Sequence, residues 1–152
     1  MLGQIAEDAC YAAAARRLGV DADLVRRMVA DAFMSSPDER LAAYVRRLKD
    51  AGVIVAALTN NTATAEVLGG RLELSRLFDI IVSSADVGLT KPDAEIFRLA
   101  ERRLGASAAD LVLVDDVEVN VTTARDLGWQ AVWFRDTEQA IGEIARLFAE
   151  AP

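Results

Sequence analysis

The sequence contains no histidine and a single cysteine, Cys10. Catalysis by Ser-His-Asp or Cys-His groups, histidine metal clusters and disulfide frameworks are therefore excluded for this chain. Any acid-base chemistry must use carboxylates, lysine or hydroxyl groups.

Positive charge is also scarce, and lysine in particular. The net charge is -7, and only two of the 17 basic residues are lysines. Residues 1–50 hold eight basic and eight acidic residues, so the deficit lies in residues 51–152, with nine against sixteen. Nucleic acid and anionic membrane surfaces need a basic partner, and neither is expected to bind this chain.

No apolar run approaches the length of a membrane span, and no basic segment followed by an apolar one opens the chain. We therefore expect a cytoplasmic protein. The length of 152 residues, 53% of them hydrophobic, fits one compact domain.

The first 50 residues show helical periodicity, and the remainder alternates between two patterns. Residues 3–18 and a segment from Asp21 predict two helices, and Ser36-Pro37-Asp38-Glu39 predicts a capped start to a third. Short apolar runs then predict strands at 53–58, 80–83, 111–115 and 130–134. Helical segments follow them at 62–68, 93–104, 117–127 and 138–149. This alternation predicts an α/β fold with one parallel, Rossmann-like sheet of about four strands and helices on both faces. Trp129 and Trp133, beside the last strand, are predicted to pack.

Ligands of parallel α/β sheets bind beyond the carboxyl ends of the strands, so the residues there are the candidates for a site. Thr59-Asn60-Asn61-Thr62 follows the first strand and leads into a helix, an arrangement that suits a phosphate. The alternative is that Asn61 or Thr62 only caps that helix.

The loop after the second strand, residues 83–93, contains Lys91. Its compact ammonium group suits a small site of carboxylate and phosphate groups. The alternative is a simple Thr90-x-x-Asp93 helix cap.

Asp115 and Asp116 follow the third strand. Two carboxylates 4 Å apart repel each other by ~4 kcal/mol at an effective dielectric constant near 20, unless a cation lies between them. Mg²⁺ takes one or two carboxylates beside a phosphate, so the pair predicts a magnesium site. The alternative is that Asp116 caps the following helix and Asp115 is solvated.

The three clusters, in this chain order, resemble three motifs of the haloacid dehalogenase-like hydrolase superfamily. Leu58-Thr59-Asn60-Asn61 resembles its second motif, residues 88–97 (GLTKPDAEIF) its third, and Val114-Asp115-Asp116 with Asn120-Val121 its fourth. The resemblance implies that Thr59 and Asn60 bind a phosphoryl group or other substrate. It also implies that Lys91 is a catalytic residue that offsets negative charge there, and that Asp115 or Asp116 holds Mg²⁺. Val117 and Val119 stand where the family often has polar residues, which implies a drier and weaker metal shell.

The family's first motif, a strand followed by Asp-x-Asp, is not found in residues 1–50. That motif carries the aspartate nucleophile of the family's phosphatases and dehalogenases. Asp21-Ala22-Asp23 lacks a preceding strand, and the residues around it resemble the later part of the family's helical cap. We therefore expect a partial cap at 1–35 and a core at 36–152 that lacks its first strand.

Loss of a strand between the one at 53–58 and the one at 111–115 would expose two strand edges, at about 1–3 kcal/mol for each unpaired buried backbone group. Either those strands pair directly, or a strand comes from elsewhere, or the sequence is a fragment.

The leading hypothesis is a hydrolase of phosphatase or dehalogenase descent that binds a small phosphorylated or halogenated metabolite but is inactive as this chain alone. The alternative is a non-catalytic assembly module that pairs a strand with a second copy or another partner.

Overall fold

The computed structural model describes residues 7–24, 38–60 and 77–150. The predicted helix at 62–68 and most of the one that follows Asp21 lie outside these residues. In chain order the elements are α1 (Glu7–Leu18), α2 (Glu39–Asp50), β1 (Ala56–Thr59), β2 (Ile80–Ser83), α3 (Ser84–Val87), α4 (Ala94–Leu104), β3 (Val112–Asp115), α5 (Glu118–Asp126), β4 (Gln130–Trp133) and α6 (Thr137–Glu150). The predicted α/β fold with short parallel strands and flanking helices is confirmed. None of the described helices is long and apolar enough to cross a membrane.

The described strands are not hydrogen-bonded into one continuous ladder. The four described strands form two parallel pairs, β1 with β2 and β3 with β4, and no ladder joins β1 to β3. Each pair is in simple register, with Ala56 opposite Ile80 and Val112 opposite Gln130. Short apolar runs in the sequence predict where the strands lie, but they do not specify which strands are hydrogen-bonded to each other.

This register determines which backbone groups of β1 and β3 point away from their partner strands. The Asp79 N–H donates to Val55 O, so the groups of Ala56 and Leu58 face away from β2. The Phe134 N–H donates to Asp115 O, so the groups of Val112 and Val114 face away from β4. No described strand pairs with either of these edges.

Two apolar layers cover the strands. The larger lies under α4 and α5 and takes residues from both strand pairs, so packing joins the two pairs where hydrogen bonds do not; its buried members are Val82, Ile96, Phe97, Ala100, Leu113, Ala124 and Trp129. The second lies under α2 and α6 and is built on Val132, Ala140 and Ile144, against which Tyr44 and Val112 pack. Successive side chains of a strand point to opposite faces, so Val112 and Leu113 enter different layers.

Helix α2 begins two residues later than its predicted cap implies. Asp38, not Ser36, is the N-cap, and its carboxylate accepts hydrogen bonds from the N–H groups of Arg40 and Leu41. Its other oxygen accepts a hydrogen bond from the hydroxyl of Thr137, the first residue of α6, at 2.5 Å. The same carboxylate therefore caps the start of α2 and links it to α6, 99 residues further along the chain.

The outer edge of β4 is covered by side chains. Arg125 donates to Ala131 O at 2.7 Å, and the Gln139 amide donates to Trp133 O at 3.0 Å. Both carbonyl groups face away from β3, so these bonds satisfy the acceptors that a further strand would use. The two inner edges, of β1 and β3, are thus the candidate edges for strand addition.

Phe97 is the largest fully buried side chain among the described residues, and its ring meets that of Trp129 edge-to-face at 5.6 Å. Because Phe97 joins α4 to the layer beneath both strand pairs, we expect Phe97→Ala to lower the free energy of unfolding by about 3–5 kcal/mol. Urea unfolding followed by circular dichroism measures this. The matched control is Phe148→Ala, at an exposed position of α6, for which we expect less than about 1 kcal/mol. Equal losses for the two variants would contradict the assignment of this core.

Candidate active site

The five predicted site residues all lie at the carboxyl ends of strands or in the loops that follow. Thr59 and Asp115 are the last residues of β1 and β3, one residue later than the sequence pattern places the end of β1. Asn60 and Asp116 come next in the chain, and Lys91 lies in the loop between β2 and α4. This loop also contains α3, which the sequence pattern does not predict.

Lys91 and Asp115 form a buried ion pair across the two strand pairs. The Lys91 Nζ lies 2.5 Å from Asp115 Oδ2, and the two side chains are only 10% and 4% exposed. The attraction between the two charges offsets the cost of removing each from water. Loss of either partner would leave a buried charge without compensation. The pair therefore fixes the carboxyl end of β3 against the loop that follows β2.

The second oxygen of Asp115 is engaged as well. Oδ1 accepts a hydrogen bond from the Val117 N–H at 2.9 Å and another from the Asn120 amide at 3.0 Å. Burial alone would raise the pKa of Asp115, but the hydrogen bonds from Lys91, Asn120 and Val117 outweigh it and hold the pKa below its ordinary value. Asp115 is therefore an ionised acceptor with three donors.

Asn60 holds the backbone of Lys91 in place. Its side-chain amide donates to Lys91 O, and its carbonyl oxygen accepts from the Lys91 N–H, both at 2.8 Å. The Lys91–Pro92 peptide bond is cis. Asn60 thereby links the end of β1 to the loop between β2 and α4, which contains Lys91 and is named the lysine loop. Through Lys91 it is also linked to the end of β3.

The alternative roles considered for the two aspartates are reversed in the structure. Asp115, not Asp116, is buried, and it is the carboxylate of Asp115 that binds the N–H of Val117 before α5. Asp116 is exposed. In the lysine loop the helix cap is Asp93, while the Thr90 hydroxyl donates to Asp93 Oδ2 at 3.4 Å.

Two residues beyond the predicted set contact the site. Asn120 is buried and binds Asp115; its position five residues after the carboxylate, in the fourth motif, is the sequence signal for it. Trp133 is paired with Asp115 across the β3–β4 ladder, and its indole N–H donates to Asp116 O at 3.0 Å. The prediction that Trp133 only packs is incomplete, because the residue is 39% exposed.

Asp115 and Asp116 are the two carboxylates at the end of β3, of which Asp115 already accepts three hydrogen bonds and Asp116 is exposed. Among the described residues no group of three His, Cys, Asp or Glu side chains is placed to hold one. Mg²⁺ in proteins often takes one or two carboxylates and completes its shell with water and phosphate oxygens. The donor chemistry of Asp115 and Asp116 therefore fits part of a magnesium site, with Asp116 the more accessible of the two.

The chain belongs to the haloacid dehalogenase-like hydrolase family, whose model matches residues 4–128. A sesquiterpene phosphatase of Aspergillus oryzae is 31% identical over 95% of this chain and 75% of its own length. A drimenol cyclase of Aspergillus calidoustus is 30% identical over 96% of this chain and 29% of its own length. The chain spans less than a third of the first curated relatives that it matches.

Solved structures show the same fold. A predicted hydrolase of this family from Porphyromonas gingivalis superposes with a TM-score of 0.74 at 22% identity, over 98% of this chain and 76% of its own. A family enzyme of Bacteroides thetaiotaomicron, in complex with magnesium and inorganic phosphate, gives a TM-score of 0.57 at 20% identity, over 65% and 53%.

The ion pair makes a prediction that stability measurements check. Lys91→Met leaves the Asp115 carboxylate buried without its cation, and we expect it to lower the free energy of unfolding by about 3–5 kcal/mol. In the double variant Lys91→Met, Asp115→Asn neither charge remains, so the loss should be well below the sum of the two single losses. Urea unfolding of all three variants gives the coupling energy. Additive losses would contradict a direct buried pair.

Proposed function

We propose that this chain supplies the phosphoryl-binding and metal-binding part of a Mg²⁺-dependent phosphohydrolase site and is catalytically inactive by itself. The observation that carries the proposal is the Lys91–Asp115 pair, held by Asn60 at the point where the strands end. The fold is that of a hydrolase family with phosphatase and dehalogenase relatives. Asp115 and Asp116 would hold Mg²⁺, which supplies positive charge to a bound phosphate.

The charges of the site favour a phosphate with a metal ion over a metal-free anionic substrate. Lys91 is already neutralised by Asp115, and Asp116 adds an exposed negative charge beside the pair. An anionic substrate alone would meet net negative charge at this edge. A divalent cation reverses that balance, and a related enzyme of known structure contains both magnesium and phosphate.

Each residue has one task in the proposed site. The Thr59 hydroxyl donates to the phosphoryl oxygens, and the Lys91 ammonium group offsets their charge. Asn60 orients Lys91 through its backbone. Asn120 and the Val117 N–H keep Asp115 ionised and fixed in direction.

The proposed inactivity has a structural argument besides the missing motif. Asp115 is a poor nucleophile, because both of its oxygens accept hydrogen bonds and its pKa is low. No Asp-x-Asp follows an apolar run in residues 1–50. We therefore expect the 152-residue chain to bind a phosphoryl group without hydrolysing it.

Binding without turnover is the expected result. In the presence of Mg²⁺ we expect inorganic phosphate to bind weakly by isothermal titration calorimetry, and an aryl phosphate to show no hydrolysis above the buffer. Thr59→Val, which removes one donor to a charged ligand, should weaken phosphate binding about tenfold. The matched control is Thr123→Val, in the middle of α5, where the hydroxyl binds Val119 O; it should leave binding unchanged.

Two results would overturn the proposal. Hydrolysis by the 152-residue chain that Asp116→Asn abolishes would show that the chain is an active enzyme. Phosphate binding that is absent, or that is equal with and without Mg²⁺, would remove the metal-assisted site.

A second candidate, an assembly module, is favoured by the two separate strand pairs. The backbone groups of Ala56, Leu58, Val112 and Val114 face edges with which no described strand pairs, whereas the outer edge of β4 is covered. A strand donated by a second copy or another chain could pair there. If so, light scattering after size exclusion should show a dimer at micromolar concentration. A strict monomer at all concentrations would count against self-pairing.

A further inference from the structure

Three exposed apolar residues lie close in the fold to the segment of Asp115 and Asp116: two come directly after it in the chain, and one is opposite Asp115 in the β3–β4 ladder. Val117 is 47% exposed, Val119 52% and Trp133 39%. We name these three residues the apolar rim. Single exposed apolar residues are ordinary on protein surfaces, but a group of them beside a candidate site indicates contact with a ligand.

Hydrogen bonds place the backbone of Val117 and the indole of Trp133 next to Asp115 and Asp116. The Val117 N–H binds Asp115 Oδ1, and the indole N–H of Trp133 binds Asp116 O. Trp133 is also opposite Asp115 in the ladder, so the two side chains lie on the same face of the strand pair. Val119 lies in the first turn of α5, two residues after Val117.

Packing among the residues that the structure describes does not explain these residue types. Val117 is the N-cap of α5, a position at which Ser, Thr, Asp or Asn stabilises a helix and valine does not. Val119 and Val117 belong to neither apolar layer. The indole of Trp133 is fixed at the surface by its hydrogen bond, with its ring left partly open to solvent.

We propose that the apolar rim binds the hydrocarbon part of a phosphate monoester whose phosphate is held at Thr59, Lys91 and the two aspartates. This proposal rests on the proposed phosphoryl site and assigns its substrate class. A phosphorylated sugar or other polar metabolite would leave the rim in contact with hydroxyl groups, whereas an alkyl or isoprenoid-like chain would bury it. The occupant is therefore an apolar alcohol esterified to phosphate.

A series of ligands of increasing chain length tests this. With Mg²⁺ present, the affinities of inorganic phosphate, n-butyl phosphate and n-hexyl phosphate are measured by calorimetry. We expect affinity to rise about twofold for each added methylene, roughly half of the effect of full burial, because the rim covers one side of the chain. Butyl and hexyl phosphate should then differ about fourfold.

Variants separate the rim from the phosphoryl site. Val119→Ser should leave inorganic phosphate binding unchanged and reduce the difference between butyl and hexyl phosphate to less than twofold. The matched control is Ile54→Ser, at a comparably exposed aliphatic residue two positions before β1, which should keep the fourfold difference. Circular dichroism melting of both variants establishes that they are folded.

Spectroscopy gives a second readout. Hexyl phosphate should shift the indole N–H resonance of Trp133 and leave that of Trp129, which is buried and bound to Glu101, unchanged. Trp133→Phe assigns the two resonances.

The outcomes are distinguishable. If inorganic phosphate binds but chain length has no effect, the rim proposal is wrong and the proposed function stands. If no phosphate binds, both are wrong. If the wild-type chain dimerises and Val119→Ser is monomeric, the rim is an interface between copies, and the substrate assignment is overturned.

Discussion

The ion pair between Lys91 and Asp115 is the contact on which the arrangement of this site depends. It joins a loop that follows β2 to the end of β3, two parts of the chain that no described strand ladder connects. Burying two charges has a large desolvation cost, and the attraction between them offsets it only when their remaining donors and acceptors are also satisfied. Asn120 and the Val117 N–H do this for Asp115, while Asn60 holds the lysine backbone.

Hydrophobic packing, not a continuous ladder, connects the two strand pairs elsewhere. The layer under α4 and α5 takes Val82 from one pair and Leu113 from the other, with Phe97 and Trp129 packed between them. Packing of this kind fixes distance and orientation but leaves the backbone groups along the inner edges of β1 and β3 for another partner. At the outer edge of β4, by contrast, Arg125 and Gln139 donate hydrogen bonds to the carbonyl groups, so that edge has no free acceptors at Ala131 and Trp133 for a further strand.

The chemistry of the site follows from how its charges are divided. A neutral buried pair, one exposed carboxylate and an adjoining group of apolar side chains form a surface with little attraction for a free anion. A divalent cation changes that, and an apolar group attached to the anion adds contact that polar ligands cannot supply. The same hydrogen bonds that hold Asp115 as an ionised acceptor also make it a poor nucleophile, so the function that we propose assigns it to binding and not to covalent chemistry.

The sequence by itself determined the segments and the chemical groups. Periodicity located all four described strands to within a few residues, and the order of Thr59, Lys91 and Asp115-Asp116 along the chain identified the family and the edge of the sheet at which they gather. Tertiary structure decided which groups meet. It determined that Asp115 and not Asp116 is the buried carboxylate, that Asn60 binds the Lys91 backbone, and that the strands form two pairs. These outcomes depend on contacts between residues 18 to 31 positions apart in the chain. Local sequence patterns indicate which conformation a segment prefers and which of its residues are buried. They do not indicate which distant residue it will contact once the chain has folded.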